Sequence, residues 1–334
     1  MRIATYNVEW FSNLFDDQNQ LILDDSWSSR HDVTKRQQAE ALGIVFTAMD
    51  ADAILVVEAP DQNSKRATVP ALEHFAEAFN LRTREAVIGF SNDTQQELAL
   101  LSDPDVLTAR HDPISTPDAP RFDQKFDIDL DVDERADTVV FSKPPLELAI
   151  TAKSGAEVRL IGAHLKSKAP HGARNRDEVM RISIANRRKQ LAQAVWLRRR
   201  IVQHLQDGES LIVAGDLNDG PGLDEYEDLF GRSSVEIVMG EEGQDCLHDP
   251  HARAALNRRL GAQPTTSRFY IEKENRYLQA LLDYIMVSAD LRTKRPKWHI
   301  WHPFDDRDCW RVPELRDALL TASDHFPVTM DIDL

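Results

Sequence analysis

Six short apolar runs along this chain each carry a carboxylate, an amide or an imidazole at or beside one end. They are Tyr6-Asn7-Val8-Glu9-Trp10, Val56-Val57-Glu58-Ala59-Pro60-Asp61, Gly162-Ala163-His164-Leu165-Lys166-Ser167, Ala214-Gly215-Asp216-Leu217-Asn218-Asp219, Leu282-Asp283-Tyr284-Ile285 and Ser323-Asp324-His325-Phe326-Pro327. A lone carboxylate beside a buried strand is costly unless it is paired or metal-bound. Strand ends are also where sheet proteins gather their binding sites. The pattern therefore fits a sheet protein whose strand ends converge. In the last run Asp324 and His325 are adjacent, and neighbours on a regular strand point to opposite faces. Both serve one site only from the irregular mouth of a strand. Val328, Met330 and Ile332 then alternate with Thr329, Asp331 and Asp333, so the strand proper follows the pair.

The 334 residues are 42% hydrophobic and 29% charged, enough for a large core in one big domain or two ordinary ones. No Pro/Gly/Ser-rich linker and no fixed-period repeat interrupts them, so residues 1–334 read as a single domain. No apolar run reaches the ~20 residues of a membrane-spanning helix. Met1-Arg2-Ile3-Ala4-Thr5-Tyr6 reads directly as a strand, not as a signal peptide. Two cysteines, Cys246 and Cys309, are too few for a disulfide framework, and the expected location is the cytoplasm. The net charge of -16 leaves the chain as a whole without the basic footprint that gripping duplex DNA needs. A local basic patch stays open, and a bound divalent cation would offset part of the charge.

Strands are expected at Ile3–Val8, Ala53–Val57, Leu98–Leu101, Thr138–Phe141, Leu146–Ala152, Val158–Ala163, Leu211–Ala214 and Leu281–Val287, with Lys153-Ser154-Gly155-Ala156 turning one hairpin. Helices are expected over Arg36–Met49, Ala71–Phe79 and Arg181–Gln206. Leu191, Val195, Ile201, Val202 and Leu205 would form the inner stripe of the last. Residues 102–134 read as irregular and acidic, with 127–133 alternating as an edge strand or a solvated loop. This order fits an α/β fold of sheets covered by helices, and periodicity leaves three layers or four open.

The polar inventory is oxygen-rich: Asn7, Glu58, Asp216, Asn218 and Asp324, with two imidazoles, His164 and His325, and no cysteine. Such donors suit Mg²⁺ or Mn²⁺ rather than structural zinc. Metal, carboxylates and histidines together fit hydrolysis of a phosphate ester, in which a base activates water and an acid assists the leaving oxygen. Each residue also has an ordinary reading. Asn7 could cap a turn, Glu58 could be an exposed strand-end charge, His164 a core histidine, and Asp216 and Asn218 Asx-turn residues. Arg174, Arg176, Arg187, Arg188 and Lys189 read as a polar helix face. Lys166 and Arg181 are the candidates to reach substrate phosphate. The segment from Trp298 to Trp310 either stacks on substrate or packs on the sheet edge.

These motifs resemble the endonuclease/exonuclease/phosphatase superfamily, in the same order and from Ile3 to Val328. Gly215-Asp216-Leu217-Asn218 and Ser323-Asp324-His325-Phe326-Pro327 are specific in combination. The resemblance implies a deoxyribonuclease-I-like four-layer α/β/β/α sandwich, two packed mixed sheets with helices outside. It implies that Asn7, Glu58 and Asp324 serve the metal, with Glu58 the principal ligand. Asp216 would orient or deprotonate water, and Asn218 would hold a phosphate oxygen. His325 would be the catalytic histidine, Asp283 would fix its tautomer, and His164 would donate to the phosphate or leaving group.

The implied activity is that of a divalent-metal-dependent phosphodiesterase, nuclease-like, acting on nucleic acid or a small phosphodiester. A small-molecule phosphodiesterase or phosphatase is the alternative, and an inactive binding relative the remote one. No membrane and no obligate protein partner is implied. Two departures stand out. Val57 precedes Glu58 where the family often has Gln. Leu100-Leu101-Ser102-Asp103 stands where many nucleases have Leu-Leu-Ser-Arg, and an acidic residue there would repel a nucleic-acid backbone.

Overall fold

Ile3, Leu55 and Val57 point to one face of their strands, and Ala4, Tyr6 and Val56 to the other, yet all six are buried. A strand buried on both faces needs a layer on each side. The computed structural model describes residues 1–128, 137–170, 172–220, 231–241, 243, 245–257, 263–271 and 275–334. Its strands are β1 (Arg2–Asn7), β2 (Ala53–Ala59), β3 (Glu85–Ile88), β4 (Glu97–Ser102), β5 (Leu107–His111), β6 (Phe126–Ile128), β7 (Asp137–Val139), β8 (Leu146–Ala152), β9 (Glu157–His164), β10 (Leu211–Asp216), β11 (Ser267–Ile271), β12 (Arg276–Ala280), β13 (Asp283–Val287), β14 (Lys297–Ile300) and β15 (Val328–Asp331). The helices that matter most here are α1 (Lys35–Met49), α2 (Thr68–Ala78), α3 (Arg176–Gln206) and α4 (Pro313–Ala322).

One sheet runs β14-β15-β1-β2-β4-β3 and the other β13-β10-β9-β8-β5. Each is mixed and has a parallel pair at its heart, β1/β2 and β9/β10. A parallel pair needs a long crossover, and α1 and α3 provide it. Thr34 starts α1 with a reciprocal capping box to Gln37, and Asn175 starts α3 by accepting from the Glu178 N–H.

Three apolar cores separate four layers. Ala4, Tyr6, Ile54 and Val56 pack under α1, α2 and α4. Ile3, Leu55 and Val57 meet Leu146, Leu160, Ile212 and Ile285 of the other sheet. Ile161, Val213 and Met286 pack under Trp196 and Leu197 of α3. The four-layer sandwich is thus a direct result of strand alternation.

Several expectations need correction. β5 lies inside the stretch read as irregular, and its alternating burial marks it as an edge strand. β3, β11, β12 and β14 are also additions. Of the acidic run 127–133, residues 127 and 128 belong to β6 and the rest lie outside the described residues. α3 begins at Arg176, not Arg181. In its stripe Leu191 and Ile201 are buried, whereas Val195, Val202 and Leu205 are half-buried. Trp196, Arg187 and Arg200 are the largest of its side chains that are wholly inside. Arg187, read as solvated, lies 2.7 Å from the buried carboxylate of Asp219. Cys246 and Cys309 are free thiols. Among the described residues no helix is long and apolar enough to cross a membrane.

Candidate active site

The parallel pairs end at the same edge of the sandwich. Asn7 ends β1 beside Val57 of β2, and Asp216 ends β10 between His164 of β9 and Asp283 of β13. The two sheets meet there through side chains: Asn7 Nδ2 donates to Asp216 Oδ2 at 3.0 Å. Asp216 can sit at that point because the preceding Gly215 has φ 127°. A Cβ at Gly215 would lie 2.0 Å from the Ala163 carbonyl oxygen, so only glycine fits.

Ser323 places the final motif. Its hydroxyl donates to the Asn7 carbonyl (2.8 Å) and accepts from the N–H groups of Glu9 and His325 (3.2 Å each). That local turn, not a strand, lets Asp324 and His325 both face the cavity. His325 Nδ1 lies 2.7 Å from Asp283 Oδ2, and its Nε2 lies 4.0 Å from Asp216 Oδ2. Thr266 fixes Asp283 in turn, donating to the same Oδ2 at 2.8 Å. Burial pushes the His325 imidazole down. The charges of Asp283, Asp216 and Asp324 and the hydrogen bond to Asp283 overcome it and hold His325 well above the ordinary histidine range.

Glu58 reaches the site by a different device. The pairing of β2 with β4 slips between Val57 and Ala59, and Glu58 takes a left-handed backbone at φ 60°. Such a bulge re-aims one side chain out of the alternation. Gln96 then donates to Glu58 Oε2 at 2.6 Å. Burial pushes the Glu58 carboxyl up to about 7. Asp324 and Asp216 add to the rise, while Lys143 and His325 oppose it. Glu9 rises through burial and the Asp324 charge, against its partner Arg30. Asp216 rises mainly through burial.

A cluster of carboxylates made harder to ionise by burial and one another is relieved by a divalent cation. Asn7 Oδ1 is buried without a hydrogen-bond partner, a spare oxygen acceptor beside them. The donor set is all oxygen, which fits a hard cation. Asn7, Glu9, Glu58 and Asp324 are the residues that would hold it. Asp216, Asp283 and His325 also bring potential ligand atoms within 4.8 Å of one another. There the Asp283–His325 hydrogen bond already engages the imidazole.

His164 is buried with Nε2 3.7 Å from Asp216 Oδ2. Burial, then the charges of Lys143, His325 and Lys166, push its pKa well below the ordinary value, so it is neutral at pH 7. Lys143 Nζ stands 3.2 Å from its Nδ1. Asn218 donates its amide to Leu165 O (3.0 Å) and Asp216 Oδ2 (3.2 Å) and so braces Asp216. Gln190 of α3 ties the two neighbouring loops together, donating to Lys166 O and Asn218 O at 2.9 Å each.

Of the residues singled out from sequence, Asn7, Glu58, His164, Lys166, Asp216, Asn218, Asp324 and His325 line one cavity of about 850 Å³. Asp283 stands behind His325. Arg181 is exposed on α3 and is not among the lining residues. Trp298 and Trp301 pack on the sheet, donating to Ile285 O (2.7 Å) and Thr329 Oγ1 (3.0 Å), and nothing between residues 298 and 310 lines the cavity.

Glu9, Gln96, Lys143 and Phe269 line it without having been anticipated. Glu9 was within reach, two residues past Asn7. Lys143 corrects the reading of Asp103. Ser102 pairs with Ala53 at the start of β2, the end remote from Asn7, and Asp103 binds Arg82 there at 3.0 Å. The residue after a serine that does face the site is the cation of Phe141-Ser142-Lys143.

Solved structures share this architecture. An endonuclease/exonuclease/phosphatase family protein from Bacteroides thetaiotaomicron aligns at 16% identity and TM-score 0.51, over 100% of this chain and 98% of its own. A variant of the 3′ phosphatase NExo from Neisseria, bound to product DNA hairpin, aligns at 14% and 0.50, over 100% of both chains. TDP2 from C. elegans aligns at 13% and 0.50, over 98% of this chain and 74% of that one. At such identities the likeness is one of fold. No curated protein matches by sequence. The sequence itself, however, matches a family over residues 4–325, nearly its whole length, and with the site geometry this makes the chain a member of the Endonuclease/Exonuclease/phosphatase family.

Proposed function

We propose that this chain is a phosphodiesterase that works with Mg²⁺ or Mn²⁺ held by Asn7, Glu9, Glu58 and Asp324. The family is one of phosphoester hydrolases. When bound, the cation neutralises charge on the phosphoryl oxygens. Asp216 orients the attacking water and takes its proton. Asn7 and Asn218 hold Asp216 in position. His325, oriented by its hydrogen bond to Asp283, would give its Nε2 proton to the leaving oxygen and regain one from Asp216, which has taken it from water. Neutral His164 and the Lys143 cation face the phosphate from the other sheet. The oxygen of water bonds to phosphorus, the ester P–O bond breaks, and the leaving oxygen is protonated.

The observation that carries this reading is the position of Asp216, 3.0 Å from Asn7, 3.7 Å from His164 and 4.0 Å from His325. Glu58, Asp216, Asp283 and His325 are all present in the chain, which weighs against an inactive binding relative. Hydrolysis of bis-p-nitrophenyl phosphate with Mn²⁺, with and without EDTA, tests it. Absence of metal-dependent turnover overturns it.

A small phosphodiester in place of nucleic acid is the second reading, favoured by the net charge of -16. Lys143 and Lys166 in the cavity favour the nucleic-acid reading. Salt separates the two, because activity on DNA or RNA falls steeply as salt rises and activity on a small diester does not. We take residues 1–334 as one domain, and the two free thiols suit the cytoplasm.

A further inference from the structure

The β11–β12 hairpin has two unlike faces. Its register pairs Phe269 with Leu278 and Ser267 with Ala280, so Phe269, Leu278 and Ala280 share one face. All three line the active-site cavity, together with Leu282. Arg268, Tyr270 and Tyr277 lie on the other face. There the tyrosine rings sit 5.1 Å apart, and the Arg268 guanidinium stacks 3.3 Å from the Tyr277 centroid. The outer face is solvent-exposed, and its rings and guanidinium pack on one another. The inner face looks inward: Phe269 and Leu278 are half-buried apolar groups facing a cavity that carries the carboxylates of Glu58, Asp216 and Asp324.

An isolated two-stranded hairpin is marginal in water. This one is anchored to the reacting residues. Arg268 N–H donates to Asp324 O (2.7 Å), Phe326 N–H donates to Thr266 O (2.6 Å), and Thr266 holds Asp283. The Phe269 ring stands edge-on to His325 with centroids 5.4 Å apart. The apolar wall is therefore fixed relative to the catalytic histidine. Lys143, 3.2 Å from His164 at the end of β9, and Lys166, two residues past it, line the cavity beyond β10 from β13. A substrate across Asp216 meets cations on one side and hydrocarbon on the other.

Resting on the phosphodiesterase reading, we infer that the inner face of this hairpin is a subsite for a flat, apolar, preferably aromatic substituent on the phosphate. The favoured substrate is an unsymmetrical diester with one apolar arm. A ligand bearing charge on both arms leaves Phe269 and Leu278 unfilled and desolvates an anion against them.

The test compares two diesters with one leaving group, phenyl p-nitrophenyl phosphate and methyl p-nitrophenyl phosphate, hydrolysed by the full chain with Mn²⁺. Each kcat/KM is divided by the uncatalysed rate. The phenyl ester is expected to be preferred by about tenfold or more, the discrimination an apolar pocket gives. Phe269→Ala and Leu278→Ala should each move that ratio toward one, and Phe269→Leu should keep part of it. Thermal unfolding confirms that each variant is folded. Turnover of both esters with no preference, or an unchanged preference in both alanine variants, overturns the subsite. No metal-dependent turnover of either ester overturns the phosphodiesterase reading, and the subsite with it.

Discussion

Asp283 opens a strand of one sheet and His325 sits in the turn before a strand of the other, yet Asp283 Oδ2 lies 2.7 Å from His325 Nδ1. Asp283 opens β13 and His325 precedes β15, so the bond forms only once the sheets have packed. It fixes which imidazole nitrogen faces Asp216. Asp283→Asn keeps the shape but favours the wrong tautomer, and kcat should fall by roughly 10² to 10⁴. His325→Ala should abolish turnover. Steady-state kinetics beside thermal unfolding checks both, and near-normal rates in the folded His325→Ala protein would remove His325 from the mechanism.

Glu58 is a carboxylate raised by burial that lines the same cavity as Asn7, whose side-chain oxygen is spare. Glu58→Gln keeps the volume and removes the charge. Calorimetric titration with Mn²⁺ should show affinity lower by about tenfold or more, and an unchanged titration contradicts a ligand role.

Arg187 and Asp219 form an ion pair with side chains 1% and 0% exposed. Asp219 also accepts from Lys168 Nζ and from the Ser234 N–H and hydroxyl. Removing the guanidinium leaves a buried charge short of a partner. Arg187→Met should cost about 3–5 kcal/mol in urea unfolding. A loss below about 1 kcal/mol would show that the remaining partners suffice.

Burial, with the His299 charge adding, pushes His251 down to about 4. The folded state thus resists protonation that the unfolded chain accepts near 6.5. This stability is complete above about pH 6.5 and is lost as pH falls toward about 4, on the order of 2 kcal/mol by about pH 5. His251→Gln should therefore lose less on acidification. Thermal midpoints at about pH 7 and about pH 5 decide, and equal drops in the two proteins refute the assignment.

Much of this was legible in the chain. The strands with both faces apolar, β1, β2, β9 and β10, carry their burial in their composition, and their polar ends mark the site. What escaped depends on distant contacts. β11 and β12 bury little and are held by Asp324 and Thr266, so their pattern is weak. Arg187 and Arg200 look like surface residues because their acidic partners, Asp219 and Glu147, are far away in sequence. Leu100-Leu101-Ser102 looked like the motif, and only the sheet register shows that Ser102 lies at the remote edge, whereas Ser142 lies beside the cavity.

Glu58 occupies a backbone conformation that glycine and asparagine adopt at least cost, and a glutamate there costs something for the sake of its carboxylate. Replacing it by either would relax the main chain while removing the carboxylate proposed to hold the cation. The scaffold would survive, no weaker than before. On the phosphodiesterase reading, a relative that has stopped doing chemistry and kept its shape is therefore one substitution away, and the residue at this single bend is where such a silenced copy would first be recognised.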